Sequence, residues 1–452
     1  MSVRFSLKDL DEKTSNRIVK ALTFRPKIPP HLQKNQKYQQ SLEPIRMYYT
    51  SEGETRLPFQ FSCLFFKKRF NQDKIFSKIY EQPNGKFTGK LLDRQKEPFK
   101  ESVSLLKKHN TVTIALYPGF GKTFMGVMLA WYLNKRVCVL VHRDNVGKQW
   151  VKSFRQYFSE LTDDDIWFVD DKTKPNAKII VSMDGRTDKI PQEVRDDIGT
   201  LIIDEAHCFC APSKVKPLLA FSPKYMIAET ATPKKDNGLE KVIQSICGLH
   251  YIQKTSTKPY HFFIIQTNLS YELDGSKNIF GDLSNKQCEN EARNNIIIEI
   301  LKANQQYKTI VAGNRKEHCK YLAEKLAEEG LESSQLHGTI KNYTTKNILI
   351  GTGSKMGVGF DEANFCDDYD GRPSDLLIML NTYASWAPFE QVRGRGMIAE
   401  KPNVIILNDK HTITRRHMTQ IRKWVKETNG KIVELNVDKL DGKFDIDNYK
   451  NI

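Results

Sequence analysis

Five short apolar runs between residues 111 and 230 limit the folds open to this chain: "TVTIALY", "RVCVLVH", "KIIVSM", "TLIIDE" and "YMIAET". Each is rich in β-favouring residues, and most are followed by a polar or helical stretch. A strand covered on both faces reads as such a run. A series of them separated by helices predicts a parallel sheet wrapped by helices. A second series begins near residue 290: helix "NEARNNIIIEILKAN", strand "KTIVAG", helix "KEHCKYLAEKLAEEG", then strands "NILIGT", "DLLIML" and "NVIILN". The fold class read from this is α/β, with two tandem parallel-sheet domains over 86–250 and 286–430. The chain has 452 residues, enough for two or three substantial cores. Residues 251–285 read as a linker, and 431–452 as a tail expected to fray. Residues 1–85 read as a small N-terminal α+β domain. There "SNRIVKALTF" predicts a short helix, "RPKIPPHLQKNQKYQQ" a connector and "RLPFQFSCLFFKKRFNQ" strands with a basic exit. Aromatic rings beside cations make this part a candidate for stacking nucleic-acid bases, although a small core with a solvated turn is the commoner meaning.

The first strand runs into "LYPGFGKT", Leu116 to Thr123, and a helical pattern follows. Gly119 and Gly121 let the backbone turn its N–H groups inward, as a phosphate cradle requires. Lys122 is placed as the point charge for β- and γ-phosphates. Thr123 offers a hydroxyl to Mg²⁺ at the start of a helix whose dipole favours anions. Leu116 stands where a general phosphate loop begins with Gly. Further on, "LIIDEAHCF" ends a buried strand in Asp204 and Glu205. Beside a phosphate loop, Asp204 would hold Mg²⁺ and Glu205 would orient the attacking water. "IAETATP" places Thr230 and Thr232 at another strand end, where hydroxyls can link two sites. Gln95 lies upstream with an amide suited to reading adenine, which favours ATP.

Net charge is +16, from 70 Lys and Arg against 54 Asp and Glu. Such an excess suits a polyanionic partner. No apolar run reaches the length of a membrane span, and "MSVRFSLKDLDEK" has no signal-peptide core. The eight cysteines are scattered without zinc spacing, which predicts reduced thiols in an intracellular protein.

These residues together resemble the superfamily 2 helicases with a DEAH box, over roughly residues 88–425. The resemblance implies two RecA-like domains, ATP and Mg²⁺ as cofactors, and nucleic acid as substrate. It makes Gln95 the adenine reader and Leu116, Tyr117, Pro118, Gly119, Phe120, Gly121, Lys122 and Thr123 the nucleotide loop. "VLVHRDNVGKQW" looks like motif Ia, with His142 and Arg143 on nucleic acid; His207, Thr230 and Thr232 couple the two sites. In the second domain Asn314 and Thr352 would touch nucleic acid. "ILIGTGSKMGVGFD" looks like motif V, with Gly357, Gly359 and Asp361. "FEQVRGRGMI" looks like motif VI, with Gln391 and Arg395 completing the catalytic set and Arg395 reaching the γ-phosphate. The layout resembles helicases of large DNA viruses of the poxvirus transcript-release type. This favours DNA over RNA and implies transcription or replication machinery as partners. Three features depart from the pattern. Ile398 replaces motif VI's second arginine; either Arg395 or the extra Arg393 would serve in its place, or the enzyme would be slow, and Arg393 is expected to matter less than Arg395. Only "IKNYTTK" separates "HGT" from "NILIGT", which predicts a trimmed second domain. The acidic insert "DDYDGRPSD" reads as a solvated loop rather than a metal site.

Overall fold

In the computed structural model, all five runs of the first series are strands of one sheet. The structure describes residues 2–6, 10–27, 43–51, 53–70, 73–81, 86–170, 172–231, 238–273, 279–357, 360–440 and 442–451. The chain divides into two compact units, Met1–Leu116 with Phe120–Lys254, and Thr255–Ile452 with Tyr117–Gly119.

In the first unit the N-terminal strands are β1 (Ser2–Ser6), β2 (Thr23–Phe24), β3 (Ile45–Arg46), β4 (Tyr49–Ser51) and β5 (Glu54–Pro58). They form a three-stranded antiparallel sheet, β1-β5-β4, and a β2-β3 pair. The main sheet uses β6 (Thr111–Leu116), β7 (Val137–Val141), β8 (Ile166–Phe168), β9 (Ile179–Met183), β10 (Thr200–Ile203), β11 (Tyr225–Thr230) and β12 (Tyr251–Lys254). Its order is β12-β6-β11-β10-β7-β9-β8, and every pair is parallel. All residues of β6, β7, β10 and all but the first of β11 are buried. That burial on both faces is why these strands read as continuous apolar runs.

The N-terminal segment does not build a core of its own. Val3, Ile18, Leu22, Ile45, Met47, Leu57 and Phe59 join one apolar cluster with Leu218, Leu219, Phe221, Val242 and Ile246. The Ser2 amide donates to Phe221 O at 2.8 Å, and Arg56 donates to Ala220 O at 3.0 Å. The helix predicted in "SNRIVKALTF" is present as Glu12–Ala21, capped by Asp11. The strands expected in "RLPFQFSCLFF" are only partly there. Pro58 ends β5, and Phe59–Phe65 is a helix, with Phe59 and Ser62 buried at helical spacing.

The second unit contains β13 (Tyr260–Gln266), β14 (Thr309–Gly313), β15 (Ser333–Leu336), β16 (Ile348–Thr352), β17 (Leu376–Met379), β18 (Asn403–Asn408) and β19 (Gly430–Asn436). The order is β15-β16-β14-β17-β18-β13-β19, again parallel throughout. Two expectations are corrected. The stretch 251–285 is no bare linker: it carries edge strand β12, the interior strand β13 and the start of the helix Ile279–Glu289. The end of the chain is not a frayed tail either. β19 closes the sheet edge, and Leu440, Phe444 and Ile446 are buried in the core that also holds Ile300 and Leu301.

Two departures in the second unit compensate each other. The short connector after β15 has no helix, and the acidic insert holds it instead. Asn342 donates to Asp367 at 2.7 Å and the Thr345 amide to Asp368 at 2.5 Å. Backbone bonds join Tyr343 to Phe365 and Asp367. Asp370 pairs with Lys308 at 3.2 Å. Through these bonds the insert acts as a clamp on the connector.

Candidate active site and motif residues

The central strands set the geometry. β11 lies between β6 and β10, so the loop after β6 and the acidic pair after β10 flank the end of β11. Carboxyl ends of parallel strands are where such sheets bind ligands. After β6 the chain turns through Gly119 (φ +80°) and Gly121 (φ +98°), left-handed conformations that favour glycine. The helix Lys122–Leu133 starts there, with its first N–H groups left for an anion. Lys122 Nζ lies 3.4 Å from Leu116 O and 3.9 Å from Glu205 Oε1.

Asp204 and Glu205 follow β10 and are both buried. Asp204 Oδ2 accepts from the Trp150 indole N–H at 2.9 Å, and Oδ1 accepts from the Glu205 amide at 2.8 Å. Burial pushes the Asp204 carboxyl up from its ordinary range, and the charge of Glu205 adds to the effect. Glu205 has φ +46°, a conformation that costs a non-glycine residue roughly 1–3 kcal/mol and clusters at functional positions. His207 Nδ1 is 3.0 Å from Thr230 Oγ1 and 3.3 Å from Glu205 Oε2. One imidazole therefore touches both Glu205 and the end of β11. Thr232 lies outside the described residues.

Gln95 is placed differently from the expectation. It is 3% exposed. Its amide oxygen accepts from the Leu92 N–H and its Nε2 donates to Phe120 O, both at 2.9 Å. A β-carbon on Gly121 would meet Nε2 at 2.5 Å. Gln95 thus braces the phosphate loop in this structure. His142, after β7, is partly buried, and burial, with Arg143 adding, lowers its pKa to about 4, so it is neutral near pH 7.

One residue was not singled out from the sequence. Glu229, at the end of β11, is 0% exposed, and neither carboxyl oxygen has a hydrogen-bond partner among the described residues. Burial, with Asp204 nearby, pushes it well above the ordinary carboxylate range. The available signal was a charged residue inside a run whose neighbours are all apolar or small.

In the second unit Asn314 follows β14 and is exposed, and Thr352 ends β16 and is buried. Both stand at carboxyl ends of neighbouring strands. Asp361 caps the helix Glu362–Phe365 by accepting from the Ala363 amide. Arg395 donates to the carbonyls of Met356, Gly357 and Phe360, and Gln391 Oε1 lies 3.7 Å from the β-carbon position of Gly357. Motif V and motif VI are thus held together within this unit. Gly359 lies outside the described residues.

Comparison with known proteins agrees with this geometry. The family model for "Type III restriction enzyme, res subunit" matches residues 88–235. "Putative helicase 161L" of Invertebrate iridescent virus 6 is 25% identical over 404 residues, 80% of this chain and 87% of that protein. "Putative helicase 055L" of Frog virus 3 is 26% identical over 297 residues, 60% of this chain and 65% of that one. Among solved structures, S. cerevisiae Dbp5 bound to RNA and ADP BeF3 matches with a TM-score of 0.56 at 15% identity. That match covers 77% of this chain and 91% of Dbp5 and shows the shared fold. Together these likenesses support a helicase similar to the superfamily 2 helicases of large DNA viruses. Members of this superfamily hydrolyse ATP with a divalent metal and act on nucleic acid. No helix among the described residues of the helicase is long and apolar enough to cross a membrane.

Of the two arginines weighed in motif VI, Arg393 is the one tied up in a buried ion pair within its own unit. It is fully buried, pairs with Glu390 through Nε at 2.7 Å and Nη2 at 2.8 Å, and lies over the Tyr260 ring at 5.1 Å. It is part of the core. Arg393→Ala leaves Glu390 as a buried charge without its partner, which costs about 3–5 kcal/mol. The expected result is a melting temperature lower by roughly 10 °C or more; an unchanged melt would contradict this placement. Ile398 is 41% exposed, in a turn whose carbonyls at Met397, Ile398 and Ala399 accept from Lys258.

Proposed function

We propose that this helicase couples ATP hydrolysis at Lys122, Asp204 and Glu205 to movement along nucleic acid, with DNA favoured over RNA. The observation that carries it is the convergence of those three side chains beside two left-handed glycines at adjoining strand ends. Lys122 and the free N–H groups of its helix bind the phosphates. Thr123 and Asp204 are the residues that would hold Mg²⁺. When bound, the ion neutralises charge building on the transferred phosphoryl group. Glu205 accepts a proton from the attacking water and orients it. His207, between Glu205 and Thr230, transmits the state of the site to the end of β11, which supports the DEAH reading. The preference for DNA rests on the relatives in large DNA viruses.

His142, Arg143, Asn314 and Thr352 contact the sugar–phosphate backbone, which lets the protein move without reading sequence. Affinity for single-stranded DNA is therefore expected to fall steeply with salt and to depend little on sequence. Fluorescence anisotropy with oligonucleotides of several sequences, between 50 and 200 mM salt, measures both; at about six phosphate contacts the loss is roughly 10³-fold. A flat salt dependence would count against a backbone-tracking motor.

A further inference from the structure

Glu229 is a buried carboxyl group with no hydrogen-bond partner among the described residues, placed between the two halves of the ATP site. β11 separates β6 from β10, and Glu229 is level with Ile114 on one side. On the other side Ala228 pairs with Ile203, so Glu229 follows in register with Asp204. Its side chain meets the helix Lys122–Leu133 at Gly126, where an added β-carbon would lie 2.6 Å from Glu229 Oε1. The same β-carbon would lie 2.5 Å from Trp150 Cη2, and Trp150 donates to Asp204. Gly126 is three residues beyond Thr123, so the carboxyl group sits one helical turn behind the Thr123 hydroxyl on the same face.

This arrangement has a cost on both sides. A glycine in a helix interior is about 1 kcal/mol less favourable than alanine, and a buried polar group without a hydrogen bond costs more. An apolar residue at 229 would relieve the second, whereas Trp150 would still keep residue 126 a glycine. The unmet demand of the carboxyl group is for a cation or for donors, and it lies just behind the two residues assigned to the divalent cation.

We propose that Glu229 is a positioning residue of the ATP site, a third carboxyl group that holds the divalent cation's water shell from behind Thr123 and Asp204. This rests on the ATP-site reading above. Glu229 does not touch the reacting phosphate; it acts through the ion that Thr123 and Asp204 hold.

The test compares wild type with Glu229→Gln, Glu229→Leu and Glu229→Asp. Mn²⁺ binding is followed by electron paramagnetic resonance in the presence of a non-hydrolysable ATP analogue. Binding of that analogue is measured separately in EDTA, and each protein is melted. Glu229→Leu is expected to melt at or above the wild-type temperature and to bind the analogue normally in EDTA. Its Mn²⁺ affinity in the nucleotide complex is expected to fall by about 10–100-fold, the usual effect of losing an outer-shell partner. Glu229→Gln should lose affinity in the same direction, and Glu229→Asp should recover part of it. Wild-type Mn²⁺ affinity in Glu229→Gln, or in a folded Glu229→Leu, would overturn the proposal while leaving the ATP site intact. Wild-type protein that binds neither the analogue nor Mn²⁺ with it would overturn the ATP-site reading itself. Should the leucine variant fail to fold, the glutamine variant decides.

Discussion

Lys122→Ala is expected to fold normally and to lose ATP hydrolysis. Lys122 is the side-chain cation at the start of the phosphate-binding helix, 3.9 Å from Glu205. Its ammonium group stabilises charge that builds on the terminal phosphates during transfer. Losing a fixed charge or donor of this kind costs roughly 10²–10³ in rate, and ATP affinity should fall as well because the cation also holds the ground state. The fold should survive because the helix Lys122–Leu133 is anchored by Met125, Val127, Leu129 and Ala130, all buried. Steady-state turnover and thermal melting of the variant check both halves. Wild-type turnover in a folded variant would remove Lys122 from the chemistry.

Glu205→Gln separates binding from hydrolysis. The substitution keeps the size of the side chain and removes its ability to accept a proton from water. Asp204 keeps its bond to Trp150, so the residues that would hold Mg²⁺ are untouched. Hydrolysis is expected to fall by about 10²–10⁴-fold, the range for a positioned general base, with ATP binding close to wild type. Filter binding of labelled ATP beside single-turnover hydrolysis gives the two numbers. Parallel loss of both would make Glu205 a structural residue, despite its left-handed backbone.

The strands of both sheets differ in how far they announce themselves. β6, β7, β10 and β11 were legible because burial on both faces leaves little room for polar residues. β12, "YIQK", was not, because as an edge strand it keeps Tyr251 and Gln253 exposed. β13, "YHFFIIQ", is strongly apolar, yet it sits between polar stretches and far from its sequence neighbours' partners. Its pairing with β18 and β19 is a long-range event that local pattern does not carry. The helix Phe59–Phe65 was masked by aromatic residues that favour strands; the proline before it was the usable signal. In the ATP site Lys122, Asp204 and Glu205 were legible because their chemistry fixes residue type and order. Glu229 and Gly126 were not, since each looks ordinary until the fold brings them together. Arg393 and Gln95 show the same limit: sequence gave their type, and packing decided that one is core and the other a brace.

The measurement closest to the central claim is ATP turnover of the wild-type protein with no nucleic acid, single-stranded DNA, duplex DNA and RNA, with Lys122→Ala as the reference. The account predicts turnover that rises with nucleic acid, most with single-stranded DNA, and is lower by roughly 10²–10³ in the variant under every condition. Turnover that no nucleic acid changes, or that Lys122→Ala retains, would contradict it.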